Sequence, residues 1–414
     1  MVNSSIMSPF LQLVFELIVI LLVAKIAGYI SMRLGQPSVL GELIAGVLLG
    51  PTLLNIIGLS FIKSDSLGGI INELSDLGVL LLMFIAGLEL HFGELTSHFK
   101  TSFLSSLGGF LLSLGLGWGT GRIFGFGNSS ALLMGLALAA TSVSISARTL
   151  MEMGMLRSRV GLSLLGAAVV DDILAILAFS TFLAISSGGG GWHNLAWTIA
   201  QMVIYLLLAV GFGIWVLPAL ARRISKLEIS QGLLAFAIVI LLSYGLAAEL
   251  VGNLAAIIGS FLAGLMFSRT PEKGIIEPGI KSLAYALFVP IFFINIGLSI
   301  NLRTINYHEI GLILGISAAA VIGKLLGSSG GGRISKLETS EAFQLGAGMI
   351  PRGEVTLIIA ATGSKSGLIG GEVFSSIVAV VLLTTLITPP MLHSMANLFK
   401  RLPSTRINDD GSQK

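Results

Sequence analysis

The sequence predicts an all-α polytopic membrane protein of about thirteen transmembrane helices, built as two inverted six-helix repeats. Three observations carry this: an apolar composition, basic residues segregated between alternate loops, and an internal match between early and late segments. Of 414 residues, 54% are hydrophobic and 11% charged, with a mean hydropathy of +0.95. Soluble chains carry about a quarter charged residues, so this chain lacks the polar surface to face water. Its 52 glycines lie inside apolar runs without a triplet repeat, which excludes collagen-like and disordered classes. The absence of cysteine excludes disulfides, thiolate metal sites and cysteine nucleophiles. A net charge of +3 without a dense basic face gives no footprint for nucleic acid. A cleavable signal peptide is not expected: no basic residue precedes the first apolar run, and similar runs follow to the end.

A bilayer core requires ~20 apolar residues per helix. Thirteen runs qualify: 10–32, 37–57, 70–90, 99–121, 130–151, 160–186, 195–221, 230–250, 253–269, 280–300, 308–328, 340–363 and 373–397. Trp192, Trp197 and Trp215 flank the seventh, where interfacial anchors belong. Sixteen of the 24 Lys and Arg residues fall in loops after odd-numbered spans or in the C-terminal tail. The other side holds only Lys63, Arg122, Arg303 and Lys365, and four more lie within spans. By the positive-inside rule the N-terminus is outside and the C-terminus cytoplasmic.

LGVLLLMFIAGLEL (77–90) matches LFVPIFFINIGLSI (287–300) with Gly87 over Gly297. GELIAGVLLG (41–50) matches GSFLAGLMFS (259–268) with Gly46 over Gly264. Spans two and three thus map onto nine and ten. A shift of seven spans is odd, so the second copy is inverted: spans 1–6 and 8–13 are the repeats, and span seven connects them. Inverted repeats are a transporter architecture, with the site near midplane between them.

The charges inside the spans mark that site. Span five contains LALAATSVSISARTL, whose Thr141, Ser142, Ser144 and Ser146 offer hydroxyl oxygens suited to a hard cation. No proline or glycine interrupts it, so the residues by themselves predict an intact helix. Span six carries Asp171 and Asp172 in its middle third. Each central charge costs about 2.5–3.5 kcal/mol on insertion, and nothing in the helix offsets it. Neighbouring helix positions diverge by ~100°, so the two carboxylates need different partners. Lys324 in span eleven is nine residues from Arg333, or ~14 Å, and Asp171 is twelve from Arg159, or ~18 Å, both from the same side. The lysine stem can close the difference, or it can snorkel to the surface. Span twelve contains MIPRGEV: Pro351, Arg352, Gly353 and Glu354 in a row indicate an unwound stretch, tolerated at depth only beside protein or a water-filled cavity. Glu42, Asp76, Glu89 and Glu249 lie nearer span ends, in solvated or pairing roles, and Asn295 has the character of a cross-helix bond. The runs GGGG (188–191) and SSGGGR (328–333) lack the GK[ST] of a phosphate loop and are expected to be flexible loops or span ends.

Together GELIAGVLLGP (41–51), FIAGLEL (84–90), ATSVSISA (140–147), GAAVVDDILA (166–175), Lys324 and MIPRGEVTLIIA (349–360) closely resemble bacterial sodium/proton antiporters of the monovalent cation:proton antiporter-2 family, over nearly the whole chain. The resemblance implies a dimerising scaffold (10–90 and 230–300), a mobile ion-translocating core (99–186 and 308–397), a linker helix (195–221), a short cytoplasmic tail (398–414), and two broken helices, spans five and twelve, that cross. By position, Asp172 would bind Na⁺, Asp171 would pair with Lys324, Thr141 and Ser142 would lie at one crossing strand, and Arg352 and Glu354 would support the other. The implied function is exchange of Na⁺ or Li⁺ for H⁺ across a bacterial inner membrane by a homodimer, with no cofactor, nucleotide or enzymatic activity. Relatives for potassium efflux often carry glutamine–aspartate at the pair and a C-terminal nucleotide-binding domain; the Asp–Asp pair here favours sodium.

Cation and protons are expected to compete for Asp172 in a cavity open to one side, with electrogenic exchange if Lys324 takes part. K⁺/H⁺ exchange is the alternative within the family. A sodium-coupled organic-anion symporter would need a second-solute cavity, and a channel would pass ions without proton countermovement. An intramembrane aspartyl protease needs its two acids facing each other, which neighbours on one helix do not do.

Overall fold

The computed structural model of the protein describes residues 8–55, 65–90, 97–186, 191–299, 303 and 309–400. Among these, all regular structure is helical. Ten segments are long and apolar enough to cross a membrane, and three shorter apolar helices accompany them. The first helix, α1 (Pro9–Arg33), begins where the Ser8 hydroxyl accepts from Leu11 N–H and Pro9 occupies the first turn, where a missing N–H leaves nothing unbonded. Its 25 residues rise ~37 Å, more than the ~30 Å hydrocarbon core.

Next, α2 (Ser38–Leu49) is shorter than the predicted 37–57. Gly50 ends it and Pro51 disfavours helix in the residue before it. Then come α3 (Asp65–Glu89) and α4 (Phe99–Ile123), followed by α5 (Asn128–Ala139) and α6 (Val143–Glu152), which share the predicted span 130–151. After α7 (Arg159–Ser186), the predicted span 195–221 becomes α8 (Gly191–Trp215) and a short α9 (Leu217–Ile224), which has Pro218 in its first turn and Arg222 and Arg223 in its last. Gly191 opens α8, and the rest of the GGGG run, like the Trp192 side chain, lies outside the described residues. The exposed Trp197 and Trp215 sit toward the two ends of α8.

The second half follows with α10 (Gly232–Leu250), α11 (Ala256–Phe267), α12 (Lys273–Leu283), a π-helical turn (Ala284–Phe288) and α13 (Val289–Leu298). Last come α14 (Ile310–Ile334), α15 (Thr339–Gly348), α16 (Glu354–Lys365) and α17 (Gly371–Lys400). Of the two expectations for SSGGGR (328–333), flexible loop or span end, the second holds: those residues form the final turns of α14, with Ser328, Ser329, Gly331 and Gly332 buried. They stay helical because α14 packs along its length on α4, and tertiary contact outweighs the ~1 kcal/mol that each glycine costs a helix.

Glycines set the closest helix crossings. A Cβ on Gly46 of α2 would strike the Ile294 carbonyl of α13, and one on Gly297 would strike the Gly46 and Val47 backbone. The pair Gly87 (α3) and Gly264 (α11) does the same through the Phe261 and Phe84 carbonyls. One apolar cluster joins α3, α10 and α11 to α6 and α7, and a second lies among α4, α5, α14, α16 and α17. Asn295 bonds across helices as expected, its Nδ2 donating to Asn72 Oδ1 at 2.9 Å.

Candidate functional site

Two broken helices meet at the centre. After Ala139 the chain is extended at Ala140 and Ser142 before α6 starts at Val143. After Gly348 the chain is non-helical through Gly353 before α16 starts at Glu354. The two strands bond directly: Ser142 N–H donates to the Pro351 carbonyl at 2.8 Å. The N-terminal half of each broken helix, α5 and α15, then has its last carbonyls taken by side chains of the other segment. Thr141 Oγ1 donates to Met349 O (3.3 Å) and Ser146 Oγ to Gly348 O (2.5 Å). In return Arg352 Nη1 donates to Ala140 O (3.2 Å) and Thr356 Oγ1 to Ala137 O (2.9 Å).

This reciprocity explains why span five breaks without proline or glycine, against the expectation from its own residues. The carbonyls freed at the break are satisfied by another helix, which local sequence cannot reveal. It also gathers two helix C-termini and two N-termini at one point, where their partial charges act on whatever ion lies nearby.

Arg352 is fully buried, and its second arm, Nη2, donates to Ala320 O of α14 at 2.9 Å. Its backbone is held by two threonines of α17: its N–H donates to Thr384 Oγ1 (3.2 Å) and its carbonyl accepts from Thr385 Oγ1 (3.2 Å). Sequence reasoning did not single out these threonines; an adjacent hydroxyl pair in an apolar run was the available signal. Glu354 opens α16, and its side chain lies outside the described residues.

The acid doublet sits on α7, and its members diverge as helix geometry requires. Asp171 points into the bundle of α4, α7 and α14. Its Oδ1 lies 2.6 Å from Lys324 Nζ, with both side chains fully buried, and accepts from Ser106 Oγ at 3.3 Å. Asp172, 3% exposed, lines a cavity of about 20 Å³ in the seam between α6–α7 and α3–α11, beside Met83, Val143, Ala168 and Phe261. Val143 is the first residue of α6, so this carboxylate also lies beside a helix N-terminus. Thr141 and Ser142 are buried at the crossing, and Ser142 Oγ is 3.1 Å from Ser144 Oγ.

Access to the seam differs at its two ends. Toward the end with few basic residues, a cavity of about 760 Å³ is lined by Asp76, Glu249, Asn253, Ala175, Phe179 and Ile358, and it shares Ile257 with the small cavity at Asp172. Toward the Arg- and Lys-rich end side chains tie the helices together across the seam. Glu152, the last residue of α6, caps α2 from outside that helix: its Oε2 accepts from Ser38 N–H at 2.8 Å, and its Oε1 accepts from Ser38 Oγ and lies 2.9 Å from Arg148 Nε. The Arg148 guanidinium carbon stands 4.3 Å from the centre of the Tyr285 ring. Lys25 Nζ donates to the Tyr285 carbonyl at 2.7 Å; in the π turn that carbonyl would pair with residue 290, a proline without N–H. Arg157 Nε donates to Glu89 O at 2.6 Å, and Lys281 Nζ pairs with Glu89 Oε1 at 2.6 Å. Glu42, expected in a solvated or pairing role, is buried in the wall of a 450 Å³ cavity beside Lys25 and Arg148.

A family profile described as "Sodium/hydrogen exchanger, transmembrane" matches residues 18–398. Among curated proteins, the Na⁺/H⁺-K⁺ antiporter GerN of Bacillus cereus is 41% identical over 378 residues, covering 91% of this chain and 95% of that protein. The Na⁺/H⁺ antiporter of Enterococcus hirae is 36% identical over 377 residues, covering 91% and 96%. Among solved structures, the sodium proton antiporter MjNhaP1 of Methanocaldococcus jannaschii superposes with a TM-score of 0.66 at 19% identity, over 94% of this chain and 98% of the other.

Proposed function

Because this chain belongs to the transmembrane sodium/hydrogen exchanger family, a family of multi-pass cation/proton antiporters and not of enzymes, we propose that it exchanges Na⁺ or Li⁺ for H⁺ by alternating access, with Asp172 as the ion-binding carboxylate and no cofactor. The observation that carries the reading is the doublet on α7: one acid closed on Lys324 inside the bundle, its neighbour turned to the seam between two helix groups. Burial disfavours the charged form of either member of a pair, and an opposite charge at contact distance favours it. The Asp171–Lys324 pair therefore responds strongly to charge arriving at Asp172. A cation on Asp172 displaces protons, and the loaded, neutralised site crosses more readily than a bare carboxylate. If Lys324 releases a proton in each cycle, more charge moves as H⁺ than as Na⁺ and exchange is electrogenic.

The same reading divides the chain into a scaffold (10–90 and 230–300), a core (99–186 and 308–397), a linker (195–221) and a cytoplasmic tail (398–414), within thirteen spans of two inverted repeats. The repeat alignment places Gly46 on Gly264 and Gly87 on Gly297. It therefore carries the Gly46–Gly297 crossing onto the Gly264–Gly87 crossing, and both are present as close backbone contacts. The Arg- and Lys-rich end is cytoplasmic, so the arrangement described corresponds to an outward-open state, and the working form is a homodimer in the bacterial inner membrane. K⁺ is the second candidate cation, because the 41% identical relative is named for potassium as well as sodium.

Proton flux in proteoliposomes on adding Na⁺, Li⁺ or K⁺, with and without a clamped potential, tests this directly. Na⁺ or Li⁺ drives proton release in the wild type, the rate changes with potential, and Asp172→Asn reduces the response to background. Wild-type exchange by that variant would falsify the assignment.

A further inference from the structure

The Arg352 side chain reaches two carbonyls, but its backbone is held separately, by α17. Thr384 Oγ1 accepts from Arg352 N–H and Thr385 Oγ1 donates to Arg352 O, each at 3.2 Å, with all three residues fully buried. Both hydrogen-bonding groups of one residue are thus fixed from one side. A threonine inside a helix ordinarily gives its hydroxyl to the carbonyl four residues back, as Thr120, Thr149, Thr181 and Thr388 do. Thr385 gives its hydroxyl to the crossing strand instead. Thr384 does bond back, to Val380 O at 2.8 Å, and uses a remaining lone pair on the strand. The turn that carries them is loosened: Pro389 and Pro390 have no N–H, so the carbonyls of Thr385 and Leu386 lack the helical donor four residues on.

What the strand touches is the proposed cation site. The Pro351 carbonyl accepts from Ser142 N–H at 2.8 Å. A Cβ on Gly353 would stand 2.6 Å from Ser142 Cβ and 2.7 Å from its Oγ, so the strand meets Ser142 on both sides of Arg352. The next residue, Val143, opens α6 and lines the Asp172 cavity. A shift of residues 351–353 therefore moves Ser142 and the N-terminus of α6 relative to Asp172.

On the antiport reading above, we propose that Thr384 and Thr385 are positioning residues for the cation: through the backbone of Arg352 they fix Ser142 and the start of α6 against Asp172, and so set the affinity for Na⁺. Removing a group that orients a metal ligand typically costs about 10–100-fold in metal affinity. Turnover is affected differently. Once the site is filled, the loaded core crosses as before, so the loss falls on half-saturation and not on the maximal rate.

The test is Thr384→Val with Thr385→Val, which keeps the branched shape and deletes both hydroxyls. Na⁺-driven proton flux is followed in proteoliposomes over a range of Na⁺ concentrations. Half-saturating Na⁺ rises at least about fivefold, while the maximal rate per folded protein stays within about twofold of wild type. Thr384→Ser with Thr385→Ser, which keeps both hydroxyls, returns half-saturation to within about twofold of wild type. Thr388→Val deletes an equally buried hydroxyl whose bond is to its own helix, at Thr384 O, and changes neither constant. Unchanged half-saturation in the valine pair, a fall confined to the maximal rate, no rescue by the serine pair, or an equal rise in Thr388→Val each overturns the proposal. Should the valine pair not fold, Thr385→Val alone carries the test, because the bond that hydroxyl makes is to the strand and not to α17. Half-saturation then rises at least about threefold, and no rise overturns the proposal. A wild type without Na⁺-driven proton flux would instead remove the antiport reading itself.

Discussion

Asp171 and Asp172 are covalent neighbours with opposite surroundings, which makes them separable by experiment. Removing one member of a buried ion pair leaves an uncompensated charge, at a cost of about 3–5 kcal/mol, whereas replacing both members with apolar groups is often neutral. Asp171→Asn should therefore lower the thermal midpoint in detergent well below that of the double variant Asp171→Asn, Lys324→Met. Equal midpoints would mean that the 2.6 Å contact does not govern stability. Arg352 makes a comparable case. It spans the carbonyls of Ala140 and Ala320 with two arms of one planar group, and the single ammonium of Lys cannot reproduce that fork. Arg352→Lys should retain the charge and lose most Na⁺-driven proton flux; flux near wild type would show that charge alone suffices. The acids, the lysine and the arginine stand out in sequence as charges in apolar runs. Thr384 and Thr385, which bond to a crossing strand, and Thr356, which bonds to the last turn of α5, do not, because threonine in an apolar helix carries no signal until its partner is known.

Helix ends decide how the broken segments are held. The half of the first one nearer the Arg- and Lys-rich end, α6, finishes at Glu152, which caps α2 through Ser38, while Arg148 one turn earlier stacks on Tyr285. A lost N-cap costs about 0.5–2 kcal/mol, and this cap exists only while α6 and α2 are in contact. Glu152→Ala should thus shift the population toward opening at the Arg- and Lys-rich end, which the proposed orientation makes cytoplasmic. A thiol placed at Ala168 in the Asp172 cavity should then react faster with a reagent applied from the cytoplasm, in the Glu152→Ala background, than in its absence. An unchanged rate would remove Glu152 as a latch. At the helix crossings the constraint is volume: Gly264→Val would drive a side chain into the Phe84 carbonyl, and overpacking of this kind costs typically 1–3 kcal/mol, readable as a lower thermal midpoint.

For the whole molecule, the sixteen basic residues expected on one side against four on the other predict the orientation. A fluorescent or enzymatic reporter fused after Lys414 should be active in the cytoplasm, and one fused before Met1 should not; the reverse would invert the assignment of the 760 Å³ cavity to the outside. The sequence by itself determined the helical class, the apolar spans, the likeness between its halves and the intramembrane charges. These rest on composition, period and burial cost, which are properties of short stretches of chain. Only the tertiary structure decided that span five breaks at Ala140–Ser142, that SSGGGR stays helical, and that the seam is tied at one end and open at the other. In each case the partner lies more than a hundred residues away: the Pro351 carbonyl for Ser142 N–H, the Glu152 carboxylate for Ser38 N–H, and the Leu104 backbone packed against Gly331. No local pattern encodes a partner that distant.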